Sequence, residues 1–457
     1  MTIALPPLPA EDRHELLYGL DDRPPLGETL LAALQHLLAI FVPILTPGLI
    51  ICGALGLDLA TTAYLLNMSL FASGVCTLVQ IHRIGPLGSG LMSIQGTSFA
   101  FIGPIIAAGQ AGGLPLIFGI SLAGSFIEMA LSRFLHQARR VITPIVTGMV
   151  VTMIGLTLIK AAAVNCAGGA AAQRDGTFGQ ARHLGLAAFV LLLTVACNRS
   201  RNRWIRMGSI FIGLAAGYLL ALAQGRVDLA QVAGSPWLAV PSPFAFGLAF
   251  DWTAFAGIAI IYLLTTIETV GDLTATSIVS RQPIEGDLYW QRVAGGVLAD
   301  GFNSFLAAVF NSFPNTTFSQ NNGIIQLTGV ASRSVGLWVA AFLIVLGVFP
   351  FIGAVFAVMP AAVLGGSTLL MFGTIAANGL RIIAASPLDR RALTIIALSF
   401  GTGVGAIAAP EILGALPRAV ADIFRSGITT GGLTAFLASL LLPAGEPAPV
   451  DVPPAID

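Results

Sequence analysis

Two carboxylates four residues apart, Glu268 and Asp272, lie in the run Thr265-Thr266-Ile267-Glu268-Thr269-Val270-Gly271-Asp272, inside a long apolar stretch. On a helix this spacing puts both side chains on one face. Two acids that close in a medium of low dielectric cannot both ionise easily, so the pair suits reversible binding of a proton. Asp300 and Asn303 stand one turn apart in Leu298-Ala299-Asp300-Gly301-Phe302-Asn303, where Asp300 reads as a hydrogen-bond hub. His36 sits in the apolar run Leu34-Gln35-His36-Leu37 and reads as a structural group that braces a carboxylate. Glu128, close to Arg133, reads as half of a local ion pair. Ionisable residues inside apolar spans carry a functional expectation by default, because lipid makes them costly.

Two stretches break the apolar pattern in the same way. Ser93-Ile94-Gln95-Gly96-Thr97-Ser98-Phe99-Ala100-Phe101 and Pro314-Asn315-Thr316-Thr317-Phe318-Ser319-Gln320-Asn321-Asn322-Gly323 each open polar and strand-like, then turn helical. Counted from residues 25 and 251, where the two halves begin, Gln95 and Gln320 fall 70 and 69 residues in. Broken segments at matching positions of two halves point to a transporter's binding site. Such a break leaves backbone N–H and C=O groups and the positive end of a half-helix facing a cavity. A flat heterocycle with alternating donors and acceptors fits that setting. Ser98 and Phe99 stand at the first break and Ser319 and Gln320 at the second. The Gln320 amide offers one acceptor and two donors.

The elements that hold these residues are apolar throughout. Of 457 residues 56% are hydrophobic and 10% charged, with mean hydropathy +0.87. A soluble protein carries about 25% charged residues, so a water-facing surface for this chain cannot be built. Windows of about 20 apolar residues predict fourteen spans, near 28–53, 59–81, 91–110, 113–133, 141–161, 184–198, 206–224, 252–271, 292–310, 317–330, 335–350, 352–374, 391–409 and 427–443. With the N-terminus inside, sixteen of the 22 basic residues fall on the cytoplasmic side. That is the bias of the positive-inside rule, and it puts both termini in the cytoplasm. The polar first 24 residues show no cleavable signal peptide.

Other chemistry finds no support. The 22 acidic and 22 basic residues cancel, which gives no pull toward nucleic acid. Cys52, Cys76, Cys166 and Cys197 are far apart, without metal-ligand spacing. No zincin, G-x-S-x-G or Walker A motif appears, so no metal, cofactor or enzyme activity is expected, and uphill transport has to draw on an ion gradient. Gly401-Thr402-Gly403-Val404-Gly405 lies in an apolar span and reads as close helix packing.

Gln320-Asn321-Asn322-Gly323, followed after four residues by Thr328, resembles the signature of the nucleobase–ascorbate transporters, and Glu268-Thr269-x-Gly271-Asp272 and Gln95-Gly96-Thr97-Ser98-Phe99 match it too. The resemblance runs over about residues 16 to 443 and is nearest to bacterial xanthine permeases. It implies an all-α membrane fold of fourteen segments in two inverted repeats of seven, with segments 3 and 10 part strand and part half-helix. It implies a core domain (25–135 and 226–351) and a gate domain (136–225 and 352–443) between cytoplasmic tails at 1–24 and 444–457. It implies a homodimer in the inner membrane that takes up a purine base, xanthine or urate, with protons. Glu268 and Gln320 would bind the base, with Ser98, Phe99 and Ser319 adding contacts. His36, Asp272, Asp300, Asn321 and Thr328 would serve proton coupling or structural support. Gln at 320 resembles the purine branch rather than uracil carriers, and small Ala100 leaves room for urate. A passive facilitator or an anion carrier on the same fold stays open; the acidic Glu268 speaks against the second.

Overall fold

In the computed structural model, residues 16–138, 142–228, 230–233, 238, 240–416, 420–421 and 424–442 are described. The expected tail 444–457, most of the tail 1–24, and Arg13, Arg139, Arg140 and Arg418 of the charge argument lie outside them.

The first half begins with α1 (Leu26–Leu55), α2 (Leu59–Ile81) and strand β1 (Gln95–Thr97), which feeds α3 (Ile102–Leu131). It continues through α4 (Leu135–Ala138), α5 (Pro144–Cys166), α6 (Gly169–Arg174), α7 (Ala181–Asn198), α8 (Arg203–Met207) and α9 (Ser209–Ala223) to α10 (Ala230–Ala233). The second half holds α11 (Trp252–Val279), α12 (Gly286–Val309), strand β2 (Asn315–Thr317), α13 (Gln320–Thr328) and α14 (Arg333–Gly347). It ends with α15 (Pro350–Ala357), α16 (Ala361–Ala384), α17 (Arg390–Ala408) and α18 (Gly427–Leu441). Side chains open several of these helices. Asp58, Asp251 and Asp389 accept from the backbone N–H three residues on, satisfying donors a helix start leaves orphaned.

Among the described residues eight helices are long and apolar enough to cross a membrane, or nine if α14 and α15, bent by 76° at Val348–Phe349, count as one span. One predicted boundary is met and one moves. The spans read at 91–110 and 113–133 meet at a kink inside α3, at Gly112 and at Gly113 (φ 68°), where only glycine meets little strain. The span read at 352–374 divides, because Pro360 starts a new helix at Ala361. Large apolar side chains such as Leu192, Leu219, Leu398 and Leu440 face outward, as expected where lipid is the solvent.

Two groups of helices form by close approach of small residues, the usual glue between helices in lipid. In one, α14 and α12 lie along α2, and α3 packs on α11 and α12. In the other, α5 runs along α16, α17 along α18 and α7 along α9. A Cβ at Gly155 of α5 would fall 2.4 Å from the Ala376 nitrogen of α16. Within the Gly401–Gly405 run only Gly403 makes such a contact, with a Cβ landing 2.9 Å from Gly431 Cα; Gly401 and Gly405 face open space.

The chain ahead of α1 is docked rather than loose. The N–H groups of Leu17 and Tyr18 donate to the Gly329 carbonyl at 2.8 and 3.2 Å, and Ala331 N–H donates to Tyr18 O at 2.9 Å. Arg333 pairs with Asp21. This strap holds the C-terminal end of α13, where Gly329 takes φ 69°.

Candidate functional site: two broken segments beside buried carboxylates

β1 and β2 pair antiparallel, Gln95 opposite Thr317, Gly96 opposite Thr316 and Thr97 opposite Asn315, all six buried. The ladder continues one step beyond each strand. Ser98 N–H donates to Pro314 O (2.8 Å) and Phe318 N–H donates to Ile94 O (3.0 Å). Three residues is short for a strand, yet the pairing satisfies backbone groups that water cannot reach here. Each strand then gives way to a helix start, at Ile102 for α3 and Gln320 for α13. At the junctions the backbone N–H groups of Phe99 and Ser319 have no acceptor among the described residues. Two helix starts and two free N–H groups therefore meet at one place, a setting that favours partial negative charge.

The side chains of the first junction are apolar. The Phe99 ring lies near-parallel to Phe318 (centroids 6.4 Å apart, 20° between planes) and edge-on to Phe372 of α16 (5.4 Å, 80°). Gly96 is required beneath them, since a Cβ there would fall 2.5 Å from the Phe318 ring. Ala100 is buried, and Ser98 Oγ is occupied by the Ala100 N–H at 3.3 Å. The Ser98 O–H remains a donor. The second junction is amide-rich. Gln320 and Ser319 are partly exposed, whereas Asn321 is fully buried with its Nδ2 donating to Met92 O. Asn322 Oδ1 accepts from Thr276 of α11 at 2.7 Å.

α11 lies along β2 and α13 and carries the acids. Asp272 is buried and its Oδ2 accepts from Thr317 Oγ1 at 3.0 Å, tying the carboxylate to β2. It sits seven residues before the end of α11, within the packed part of the helix. Glu268, one turn earlier, has a buried Oε2 with no hydrogen-bond partner among the described residues. Asp300 on α12 is fully buried; its Oδ2 accepts from Thr269 Oγ1 at 2.6 Å, and Gln95 and Thr316 face it. Asp300 thus makes one hydrogen bond among the described residues, to Thr269 of α11, with side chains of both strands beside it. His36 is fully buried on α1 and faces Asn321 of α13. The expectation that it braces a carboxylate is corrected: its neighbour is an amide. Thr328 closes α13, donating to Ile324 O (2.8 Å) and accepting from Val330 N–H (3.2 Å).

Glu128 is the second correction. Arg133 is exposed beyond the end of α3, while Glu128 is fully buried and lies against Asp300. Sequence proximity suggested a pair, but the end of α3 separates the buried Glu128 from the exposed Arg133. The site thus contains four buried or half-buried acids, Glu128, Glu268, Asp272 and Asp300, contributed by three helices. The sole signal for Glu128 in the sequence was an ionisable residue in an apolar run, and the arginine nearby masked it. Among the described residues no cluster suited to a metal ion is found.

Broken helices paired at membrane depth, with amides and acids turned inward, define a polytopic membrane transporter. A family model described as Permease family matches residues 27–412. Xanthine permease XanP of Escherichia coli K12 is 49% identical over 447 residues, covering 96% of each chain. Xanthine permease XanQ of the same strain is 46% identical over 440 residues, 94% of each. Nucleobase transporter PlUacP of Paenibacillus larvae is 33% identical over 92% of this chain and 96% of that one. Among solved structures, the transmembrane domain of the cyanobacterial bicarbonate transporter BicA aligns over 92% of this chain and 99% of that one with TM-score 0.53 at 15% identity. Murine Slc26a9, an anion transporter in the inward-facing state, aligns over 92% and 69% with TM-score 0.58 at 13% identity, a likeness of fold. The chain belongs to the permease family, the nucleobase transporters that its Gln320–Thr328 signature resembles.

Proposed function

We propose that this chain is a proton-coupled symporter that brings xanthine, and urate beside it, across the cytoplasmic membrane. The carrying observation is the β1–β2 crossing. It sets the unengaged N–H groups of Phe99 and Ser319 and the partly exposed Gln320 at two helix starts, beside α11 with Glu268. A purine ring carries adjacent C=O and N–H groups, which the Gln320 amide meets as a bidentate pair. The remaining C=O of xanthine accepts from the backbone N–H groups, and a ring N–H donates to Glu268. Protonation of the acids lowers the charge that has to cross, and substrate bound at Glu268 sits in the same buried set as Asp272 and Asp300.

The reading includes a fold of fourteen segments in two inverted repeats. The two strand–half-helix units pair antiparallel about one point, as two halves of opposite orientation would. The two helix groups support a core of α1–α3 and α11–α14 working against a gate of α5–α9 and α16–α18, with Phe99 resting edge-on against Phe372 between them. Movement of one group past the other gives alternating access around a fixed site. A homodimer completes the proposal. Uptake of labelled xanthine, competed separately with urate, uracil, guanine and hypoxanthine, tests it. Xanthine and urate are expected to compete and uracil to fail; competition by uracil alone overturns it.

A further inference from the structure

Glu128 is the one acid of the group to which the transport reading gives no task. Both its carboxyl oxygens are sealed from solvent and accept no hydrogen bond among the described residues. Packing fixes it there. The Tyr262 ring fills the space over Gly124, and Tyr262 Oη donates to Ser121 O at 2.8 Å. On the other flank α12 approaches so closely that a Cβ at Gly301 would fall 2.8 Å from the Met129 nitrogen. Glu128 is thereby laid against Asp300, whose Oδ2 is engaged by Thr269 and whose Oδ1 has no donor. Carboxylate oxygens only accept. Two such groups in contact at membrane depth need a proton between them, because an unpaired pair of charges there is strongly repulsive. The titratable groups that face the pair are Glu268, Asp272 and Tyr262 of α11 and Cys76 of α2; β1 and β2 offer neutral Gln95 and Thr316. No lysine or arginine is among them.

We propose that Glu128 is a positioning residue for the proton-coupled step: it shares one proton with Asp300, its O–H donating to Asp300 Oδ1, and so holds the other Asp300 oxygen on Thr269, next to Glu268. The inference rests on the transport reading for its purpose and on the α3–α12 contact for its geometry. Loss of the shared proton sets two charges face to face and loosens that contact, so the pair makes the substrate-side acids respond to pH through a residue that does not touch substrate.

The test compares Glu128→Gln, whose amide N–H keeps a donor toward Asp300, with Glu128→Leu, which removes it at similar volume. At equal membrane abundance Glu128→Leu is expected to cut xanthine uptake by about tenfold or more and Glu128→Gln by less than about threefold, the size of one charge-assisted hydrogen bond. The fall of uptake on the alkaline side is expected to be shallower in Glu128→Gln than in the unmodified protein. Uptake by Glu128→Leu equal to the unmodified protein, or Glu128→Gln as impaired as Glu128→Leu, overturns the proposal, as do identical pH profiles. Thermal unfolding of the purified proteins against pH supplies the independent arm. There the unmodified protein should lose stability at alkaline pH and Glu128→Gln should lose less, whether or not xanthine is the cargo; equal losses overturn the shared proton. Absence of xanthine uptake in the unmodified protein, with this melting difference intact, would count against the transport reading alone.

Discussion

The β1–α3 and β2–α13 junctions share a backbone and differ in chemistry. Both place a free N–H, at Phe99 and Ser319, just ahead of a helix start. Past Ser98 the first junction runs Phe99-Ala100-Phe101-Ile102 and feeds the part of α3 that ends at the Gly112 kink, with no polar side chain until Gln110. The second runs Ser319-Gln320-Asn321-Asn322 and feeds a helix of nine residues closed by Gly329. One junction supplies a wall of rings and backbone; the other supplies amides that can tell one base from another. Substitutions at the first should act through packing, and at the second through recognition.

The largest effect is expected at Glu268, on the helix that packs against β2 and α13. Glu268→Gln should abolish xanthine accumulation while the protein still reaches the membrane, because an amide matches a carboxylate's acceptance of ring N–H groups only in part and cannot bind and release a proton. Accumulation equal to the unmodified protein would remove Glu268 from the site.

Next is Gln320→Glu. An ionised carboxylate only accepts, so the purine C=O it faces loses its donor, costing about 1–3 kcal/mol or roughly ten- to a hundredfold in affinity. Gln320→Asn keeps the groups and shortens the reach, and should be milder. Inhibition constants near those of the unmodified protein in both variants would mean that Gln320 only caps α13, where Glu is also tolerated.

Gly96→Ala sharpens the packing half of the comparison. The new Cβ would meet the Phe318 ring at 2.5 Å, an overpacking cost of about 1–3 kcal/mol. A lower melting temperature with competition by urate and uracil unchanged is expected; altered base preference with unchanged melting would reverse the roles assigned to the two junctions.

The smallest effect belongs to Thr328→Val, which removes two hydrogen bonds at the end of α13. It should cost about 1–2 kcal/mol of stability and leave xanthine affinity within about twofold. A large affinity change would place Thr328 nearer the substrate than its bonds to Ile324 and Val330 indicate.

Much of this arrangement was legible in the sequence because the signals were local. The polar runs at Gln95–Thr97 and Asn315–Thr317 stood out against apolar surroundings, and both became strands at the places they marked. Glu268 and Asp272 declared a shared face by spacing alone. What the sequence concealed depends on packing between distant elements. Glu128 meets Asp300 across the α3–α12 contact, 172 positions away in the chain, and no local pattern encodes that. His36 meets Asn321 rather than a carboxylate for the same reason. Window averages blurred the restart at Pro360, since it lies within a continuous apolar stretch. Residues 16–23 looked like an unattached tail because their partners, Gly329 to Arg333, lie some 310 positions later.

The most direct test reconstitutes the purified protein in liposomes and imposes an inwardly directed proton gradient with labelled xanthine outside. The account expects xanthine to accumulate inside above its external concentration, to be released by a protonophore, and to show no such accumulation with Glu268→Gln. Xanthine that merely equilibrates, indifferent to the protonophore, or a protein that moves bicarbonate or sulfate and leaves xanthine outside, would contradict it.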